Sequence, residues 1–223
     1  MHRVREDCQI PDPVERRELF TLDMVYNYYF PTKGKFLEVG AFDGETLSNT
    51  CLLADDGWKG IYIEAVPDYY KLCKKRHKFN DVVVLNKAIS DSKKSVFIDQ
   101  QGEFSKITEN ETSFLVSTAT LDSVLDDLKI NYSFDLMVVD VEEHELEVFK
   151  GFSISKYSPS IVIVEMHEEH SLGWENVGLK NQLTSELLES NNYEKVWFDY
   201  INTIFIHKSL LKSRGNFFNG ITK

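Results

Sequence analysis

The sequence predicts an α/β fold built on a doubly wound, mostly parallel sheet that ends in an antiparallel hairpin. Two observations lead to this fold class. Short apolar runs alternate along the chain with stretches of helical periodicity, which is typical of parallel βαβ units. The last two apolar runs are separated only by the tight turn Tyr200-Ile201-Asn202, which predicts an antiparallel pair.

Each predicted strand is an apolar run bounded by turn residues. The predicted strands are Phe36–Val39, Ile61–Glu64, Val82–Asn86, Leu136–Val139, Ile161–Glu165, Lys195–Asp199 and Thr203–His207. The predicted helices are Val14–Phe30 and, approximately, 46–55, 67–78, 120–129, 143–150 and 179–190. We expect an N-terminal extension with a helix over residues 1–33, a main domain over 34–210 and a C-terminal tail over 211–223.

Residues 87–118 interrupt this alternation. The runs SKKSVFIDQ and SFLVSTA each predict a short strand, and the polar stretch QGEFSKITENET lies between them. Two interpretations fit this pattern, because long insertions are often either functional or disordered. The insertion could be a surface hairpin with a loose tip, or residues 99–118 could form a lid over a cleft.

The composition narrows the class of protein. The 223 residues carry a formal charge of −11, which disfavours a protein that binds nucleic-acid backbones, because such proteins need a basic surface. No apolar run reaches the length of a membrane span, and the N-terminus has no apolar signal core. The three cysteines lack the spacing of a metal site. We therefore expect a cytoplasmic protein with an ordinary packed core.

The stretch KFLEVGAFDGETLSNT, from Lys35 to Thr50, joins the first strand to a helix through two glycines. Such a turn is where α/β proteins present backbone N–H groups to a ligand. A nicotinamide dinucleotide fingerprint needs glycine at the position of Phe42, and Asp43 would repel a diphosphate. A ligand with a cationic sulfonium group would instead be attracted by Glu38 and Asp43.

Two later strands also end in carboxylates. Glu64 ends the second strand, where nucleoside-binding α/β folds hold the two ribose hydroxyls. Asp140 ends the strand Leu136–Val139 and is followed by several acidic residues. Because the carboxyl ends of parallel strands line one crevice, we expect Gly40, Glu64 and Asp140 to face the same cleft.

Together these motifs resemble the FkbM family of S-adenosylmethionine-dependent methyltransferases. The resemblance covers residues 34–168 and rests on GAFDG, SNT, IEAVP, TLDSVL and DVEEHELEVFKGF in that order. It implies a Rossmann-like class I methyltransferase fold, with residues 34–210 as the methyltransferase domain. It also implies S-adenosylmethionine as cofactor and O-methylation of a hydroxyl on a sugar or another small or glycan metabolite.

The resemblance assigns ten residues to the cofactor: Glu38, Gly40, Ala41, Asp43, Ser48, Asn49, Glu64, Ala65, Ala88 and Asp140. Glu64 would hold the ribose, and Asp140 with Glu142 would lie near the transferring methyl group. The chain departs from the family pattern at two positions. Glu143 replaces a usual glycine, which could narrow or recharge the acceptor pocket, and Phe42 stands where the family often has asparagine.

Methyl transfer to a hydroxyl needs a base, and we expect His167 to supply it because histidine titrates nearest neutral pH. Asp140 would orient the acceptor or the base, and Glu142 is the next candidate for the base. A solvated His167 is the alternative. His167 and His170 do not have the zincin spacing, so no metal is expected, although Asp140 with a neighbouring acid could hold Mg²⁺.

Two other functions remain as alternatives. A non-catalytic interaction module could retain the fold and even the cofactor. A nicotinamide-dependent oxidoreductase is disfavoured by Phe42 and Asp43. Cofactor binding separates the oxidoreductase from the other two functions, and turnover with a hydroxylated acceptor separates the enzyme from the interaction module.

Overall fold

The computed structural model describes residues 22–100, 102, 105–108, 114–166, 177–199 and 201–220. Within them, a seven-stranded sheet forms the centre of the protein, and helices pack on both of its faces. The predicted doubly wound α/β fold is therefore confirmed. None of the described helices combines the length and the apolar composition that crossing a membrane requires.

The strands, in chain order, are β1 (Lys35–Val39), β2 (Lys59–Glu64), β3 (Val82–Asn86), β4 (Ala88–Ile89), β5 (Ser95–Asp99), β6 (Lys106–Thr108), β7 (Phe114–Ala119), β8 (Leu136–Val139), β9 (Ile161–Glu165), β10 (Tyr193–Phe198) and β11 (Asn202–His207). The described helices are α1 (Leu22–Tyr29), α2 (Cys51–Asp55), α3 (Pro67–Arg76), α4 (Leu121–Asp127), α5 (Glu145–Lys150), α6 (Ile154–Tyr157), α7 (Val177–Ser190) and α8 (Lys208–Arg214).

The spatial order of the large sheet is β10-β11-β9-β8-β1-β2-β3. All neighbours are parallel except β11, which runs antiparallel to both β9 and β10, so the predicted hairpin is confirmed. Val39 lies opposite Ile63 of β2 and Val139 of β8, and Val139 lies opposite Val164 of β9. The carboxyl ends of four strands therefore meet at one edge of the sheet.

The alternation of side chains along the strands divides the core into two layers. Leu37 and Val39 of β1 pack on the layer that includes residues of α4 to α7. Phe36 packs on the opposite layer, with residues of α1, α2 and α3. Glu38 lies between Leu37 and Val39 in the chain, so its side chain points to the same layer as Phe36, where it is buried.

A second sheet, with the order β4-β7-β5-β6, contains the predicted strands of the 87–118 insertion. β5 pairs antiparallel with both β6 and β7, and β4 pairs parallel with β7. Parts of the predicted lid, 99–118, lie outside the described residues, and its closing over a cleft stays a prediction.

One predicted boundary is displaced by several residues, and one predicted helix is described only in part. The helix expected from residue 46 begins only at Cys51, because Asp43 and Ser48 accept backbone N–H bonds and shape the preceding residues into turns. Of the helix expected over Val14–Phe30, the structure describes Leu22–Tyr29. This helix is tied to the C-terminal part of the chain, since the Tyr28 hydroxyl donates to the carbonyl of Arg214 at 2.5 Å.

Candidate active site

The turn after β1, Gly40–Thr46, lies against the end of β2. The amides of Gly40 and Ala41 both donate to the carbonyl of Ile63, at 2.9 and 3.1 Å. Gly40 has a φ of +90°, and a Cβ at this position would lie 1.6 Å from the carbonyl oxygen of Asp140. The backbones that follow β1 and β8 are therefore in direct contact, and only glycine fits between them.

Glu64, at the end of β2, is buried and held by the backbone. Its Oε2 accepts from the amide of Phe42 at 2.8 Å, and its Oε1 accepts from the amide of Val66 at 2.7 Å. Burial raises the pKa of the Glu64 carboxyl to about 7. A carboxylate has roughly four acceptor sites, so it can accept further hydrogen bonds from a diol.

Glu38 closes a network beneath the same turn. Its Oε2 accepts from the hydroxyl of Ser48 at 3.0 Å and from the hydroxyl of Thr50. The Thr50 hydroxyl is also hydrogen-bonded to the Tyr62 hydroxyl at 3.0 Å. The Ser48 hydroxyl in turn accepts from the amide of Cys51 at 3.1 Å, so the network also contacts the first residue of α2.

Three carboxylates come together at the ends of β8 and β9. One carboxylate oxygen from each of Asp140, Glu142 and Glu165 lies within 4.8 Å of the others. The amide of Asp140 donates to the carbonyl of Val39 at 3.0 Å, which places this group beside the turn after β1. Their oxygen atoms are of the ligand type that Mg²⁺ prefers.

The turn that carries two of these carboxylates, Asp140–Glu145, has a strained backbone. Glu142 and Glu143 have φ values of +51° and +71°, in the region that glycine occupies most easily. Two side chains brace the turn. Glu145 accepts from the amide of Val141 at 3.1 Å, and Lys180 of α7 donates to the carbonyl of Glu143 at 2.6 Å. Glu143 thus adopts the conformation expected of the glycine that it replaces.

Like charges and burial set the protonation of this acidic region. The pKa of Glu165 is raised well above its ordinary value by burial, and then by the neighbouring charges of Asp140 and Glu142. Burial also raises the pKa of Glu145 to about 8. Glu165 and Glu145 therefore hold protons at a pH at which an exposed carboxylate has lost them.

Most of the predicted site residues lie along this edge of the sheet. Ala65 and Ala88 meet in a small apolar cluster with Val66 and Ile98. Asp43 uses its carboxylate to accept from the amides of Glu45 and Thr46, at 2.8 and 2.7 Å, so it shapes the turn. The backbone carbonyl of Asn49 accepts from the Tyr26 hydroxyl at 3.1 Å. Whether these residues bind the cofactor stays a prediction.

The predicted base, His167, lies outside the described residues. The structure instead adds residues that the prediction did not assign to the site. Glu165 ends a strand next to Asp140, a position that the strand pattern already indicated. Glu145 and Lys180 had no local signal, because each acts through a bond to a backbone that only folding brings near.

The described residues fit the predicted cofactor. Glu64, beside the turn after β1, offers a buried carboxylate to a ribose diol. The carboxylates of Asp140, Glu142 and Glu165 supply the negative field that a sulfonium favours.

The comparisons with known proteins agree with this fit. The family model described as the methyltransferase FkbM domain matches residues 38–196. No curated protein sequence matches the chain.

Solved methyltransferase structures share the fold at low sequence identity. The SAH-bound methyltransferase PaMTH1 from Podospora anserina has a TM-score of 0.52 and 12% identity over 88% of this chain and 79% of that chain. The bifunctional kinase-methyltransferase WbdD has a TM-score of 0.50 and 12% identity, and the match covers 83% of this chain but only 38% of WbdD. An O-methyltransferase from Bacillus cereus in complex with SAH has a TM-score of 0.49 and 15% identity over 87% of this chain and 80% of that chain.

At these identities the structural likeness shows the fold alone, so the family assignment rests on the sequence model. Its match, residues 38–196, covers well over half of the 223 residues. The chain therefore belongs to the FkbM family of methyltransferases, with S-adenosylmethionine as its cofactor, as the sequence motifs predicted.

Proposed function

We propose that this protein is an O-methyltransferase that methylates a hydroxyl group of a sugar or another small or glycan metabolite. The observation that carries the proposal is the group of three carboxylates, Asp140, Glu142 and Glu165, within 4.8 Å of one another beside the turn after β1. An alcohol is a weak acid, so its methylation benefits from a base within hydrogen-bond reach. Within this group, burial and like charges raise the pKa of Glu165 and so its affinity for a proton.

The chain itself has two tasks in this reaction. When bound, S-adenosylmethionine supplies an electrophilic methyl group on a positively charged sulfur. Gly40, Glu64 and the network of Glu38 would hold the cofactor in place, and correct alignment of two reactants is worth several kcal/mol or more. The acidic group would accept a hydrogen bond from the acceptor hydroxyl and orient it, and a base within reach would take its proton.

We assign the individual roles as follows. Asp140 orients the acceptor, because its backbone touches Gly40 and its carboxylate belongs to the acidic group. His167 is the proposed base, as predicted from the sequence, and Glu142 is the next candidate. The proposed domain limits, 34–210, and the lid, 99–118, are retained with these roles.

The first test is a titration of the purified protein with S-adenosylhomocysteine, followed by calorimetry and thermal melting. A ligand that binds only the folded state must raise the melting temperature. We expect a rise with S-adenosylhomocysteine and none with NADH. No binding of S-adenosylhomocysteine would contradict the proposal.

The second test measures transfer of a labelled methyl group to a panel of sugars, glycans and other hydroxylated metabolites. Asp140→Asn and His167→Ala should each keep cofactor affinity within a few-fold and lose about a hundredfold in rate. Normal turnover by His167→Ala would move the base to Glu142. Cofactor binding with no turnover on any hydroxylated acceptor would favour the non-catalytic interaction module.

The location and the lid have tests of their own. A cytoplasmic location is proposed from the sparse cysteines of the sequence. Fractionation of cells that express the protein would measure this location. If residues 99–118 form a lid, their amides should exchange more slowly once cofactor or acceptor is bound.

A further inference from the structure

His77, directly after α3, reaches the turn after β1 from the side of the helix. Its ring is buried, and its Nε2 lies 2.8 Å from the carbonyl oxygen of Gly44. A carbonyl can only accept, so the hydrogen is on Nε2 and the imidazole donates it to Gly44. Burial lowers the pKa of His77, and the oxygen acceptors beside both ring nitrogens act against that shift.

The imidazole is held on its other sides as well. It stacks on the ring of Tyr62, with the centroids 4.5 Å apart and an angle of 17° between the planes. Its Nδ1 lies 3.2 Å from Oδ1 of Asn80. The orientation of the Asn80 amide is set by its Nδ2, which donates to the carbonyl of Ala54 at 2.8 Å. Oδ1 of Asn80 can only accept, so Nδ1 donates to it when the ring is protonated on both nitrogens. The stacking on Tyr62 holds the ring beside Gly44 in either state.

The turn also presses against α3 at this point. Gly44 has a φ of +78°, and a Cβ there would lie 2.8 Å from Sγ of Cys73 and 2.9 Å from the ring of His77. Glycine is thus required both by the backbone conformation and by the space. The hydrogen bond from His77 then selects one position for the Gly44 peptide within that space.

The position of Gly44 is coupled to Glu64. The amide of Gly44 donates to the carbonyl of Ala41 at 2.8 Å. The residue after Ala41, Phe42, donates its amide to Oε2 of Glu64 at 2.8 Å. Tyr62, on which the imidazole stacks, is hydrogen-bonded to Thr50 in the network of Glu38. Displacement of the His77 ring would therefore be transmitted to both Glu64 and Glu38.

We propose that His77 is a positioning residue for the cofactor: its N–H group holds the Gly44 carbonyl so that the turn Gly40–Thr46 is preorganised to bind S-adenosylmethionine. This inference rests on the proposed function, because it assumes that the turn binds the cofactor. A loop that is already in its bound conformation has less conformational freedom to lose on binding, so preorganisation raises affinity.

The test compares His77→Phe with His77→Gln. The phenylalanine keeps a flat ring that can stack on Tyr62 but removes the donor, whereas glutamine restores an N–H donor on a flexible chain. We expect His77→Phe to weaken S-adenosylhomocysteine binding about tenfold, the effect of losing one hydrogen bond. We also expect the amides of Ala41–Thr46 to exchange faster in the free protein. His77→Gln should recover most of both effects.

Tyr193→Phe is the matched control. In the wild type, the buried Tyr193 hydroxyl donates to the carbonyl of Pro159 at 2.6 Å. The substitution removes this hydrogen bond, which lies on the opposite side of the sheet from His77. It should lower the melting temperature and leave S-adenosylhomocysteine affinity unchanged. Equal affinity and equal exchange in His77→Phe and the wild type would overturn the role of His77.

Two further outcomes are separated by this design. If the wild type does not bind S-adenosylhomocysteine, the proposed function fails, while faster exchange of the turn in His77→Phe would still support its ordering by His77. If His77→Phe does not fold, Asn80→Ala replaces it, because it removes the support of the ring while leaving the imidazole. Weaker cofactor binding and faster exchange in Asn80→Ala support the proposal, and wild-type values overturn it.

Discussion

The turn after β1 and the turn after β8 both contain residues with positive φ, but they place different residue types there. After β1, Gly40 and Gly44 have φ values of +90° and +78°. After β8, the residues with positive φ are Glu142 and Glu143, at +51° and +71°. A left-handed conformation costs a residue with a Cβ about 1–2 kcal/mol, so the second turn carries strain that glycines would avoid.

The difference follows from the space around each turn. A Cβ on Gly40 would overlap the carbonyl of Asp140, so no other residue fits there. Around Glu143 the side chain is accommodated, and the strain is offset by contacts such as the bond from Lys180 to the Glu143 carbonyl. Phe42 shows that the first turn also tolerates one such residue, at +46°, with its ring packed on Tyr69. Absence of space demands glycine, whereas strain alone can be balanced by distant side chains.

The largest expected effect is that of Gly40→Ala. The new Cβ, 1.6 Å from the Asp140 carbonyl, would force the ends of β1 and β8 apart. We expect the free energy of unfolding to fall by more than about 3 kcal/mol in urea denaturation. Gly102→Ala is the control, because Gly102 has a φ of +68° with nothing within 4 Å of the new Cβ. It should cost about 1 kcal/mol, and equal losses in both variants would remove the steric explanation.

The second effect is a pH dependence of cofactor affinity. The pKa of Glu64 is about 7 in the free protein because of burial, and ribose hydroxyls donate to the ionised form. As the pH falls below 7, S-adenosylhomocysteine affinity should therefore fall, approaching about tenfold per pH unit in calorimetric titrations. Glu64→Gln should bind weakly with no such slope. A wild-type affinity that is flat from about pH 5 to 8 would contradict the ribose assignment.

The Glu64 carboxyl should affect the free energy of unfolding in the opposite direction: its contribution should be larger at low pH. Its pKa is raised on folding from the ordinary 4.5, so the folded state binds more protons than the unfolded state between pH 4.5 and about 7. The contribution of Glu64 to the free energy of unfolding should fall as the pH rises through this window. Urea denaturation of the wild type and Glu64→Gln, in parallel, separates this contribution from those of Glu145 and Glu165.

Lys180→Met should give the third effect. It removes the cation that donates to the Glu143 carbonyl at 2.6 Å while keeping an unbranched side chain of similar length. A hydrogen bond that involves a charged group is worth about 1.5 kcal/mol or more, so unfolding free energy should fall by about that amount. Lys150→Met, which removes an exposed lysine 4.0 Å from Glu147, should be near neutral. If both variants lose the same stability, Lys180 does not brace the turn.

The smallest expected effect is a gain. Glu143→Gly removes the strain of a φ of +71° but adds backbone entropy to the unfolded chain. We expect the difference to stabilise the protein by about 0.5 kcal/mol in urea denaturation. Glu143→Ala keeps the Cβ and should show no gain. A loss of stability in Glu143→Gly would mean that the glutamate side chain contributes more than the strain costs.

Several parts of the site were predictable because their signals are local. Gly40 and Gly44 stood out between a buried strand and a polar turn, and Glu64 and Asp140 stood at strand ends. The sheet then brought them together through the register of β1 with β2 and β8. The start of α2 was predicted five residues too early, because the competing bonds of Asp43 and Ser48 outweigh helical periodicity.

By itself, the sequence determined the order of strands and helices, the antiparallel hairpin and the glycine turn, because each depends on local periodicity or on a residue without a Cβ. Only the tertiary structure decided how closely Glu165 approaches Asp140 and Glu142, that Lys180 braces Glu143, and that His77 holds Gly44. These contacts join residues of separate elements. They arise from the packing of those elements and from the need of buried polar groups for partners, and neither leaves a mark on the neighbouring sequence.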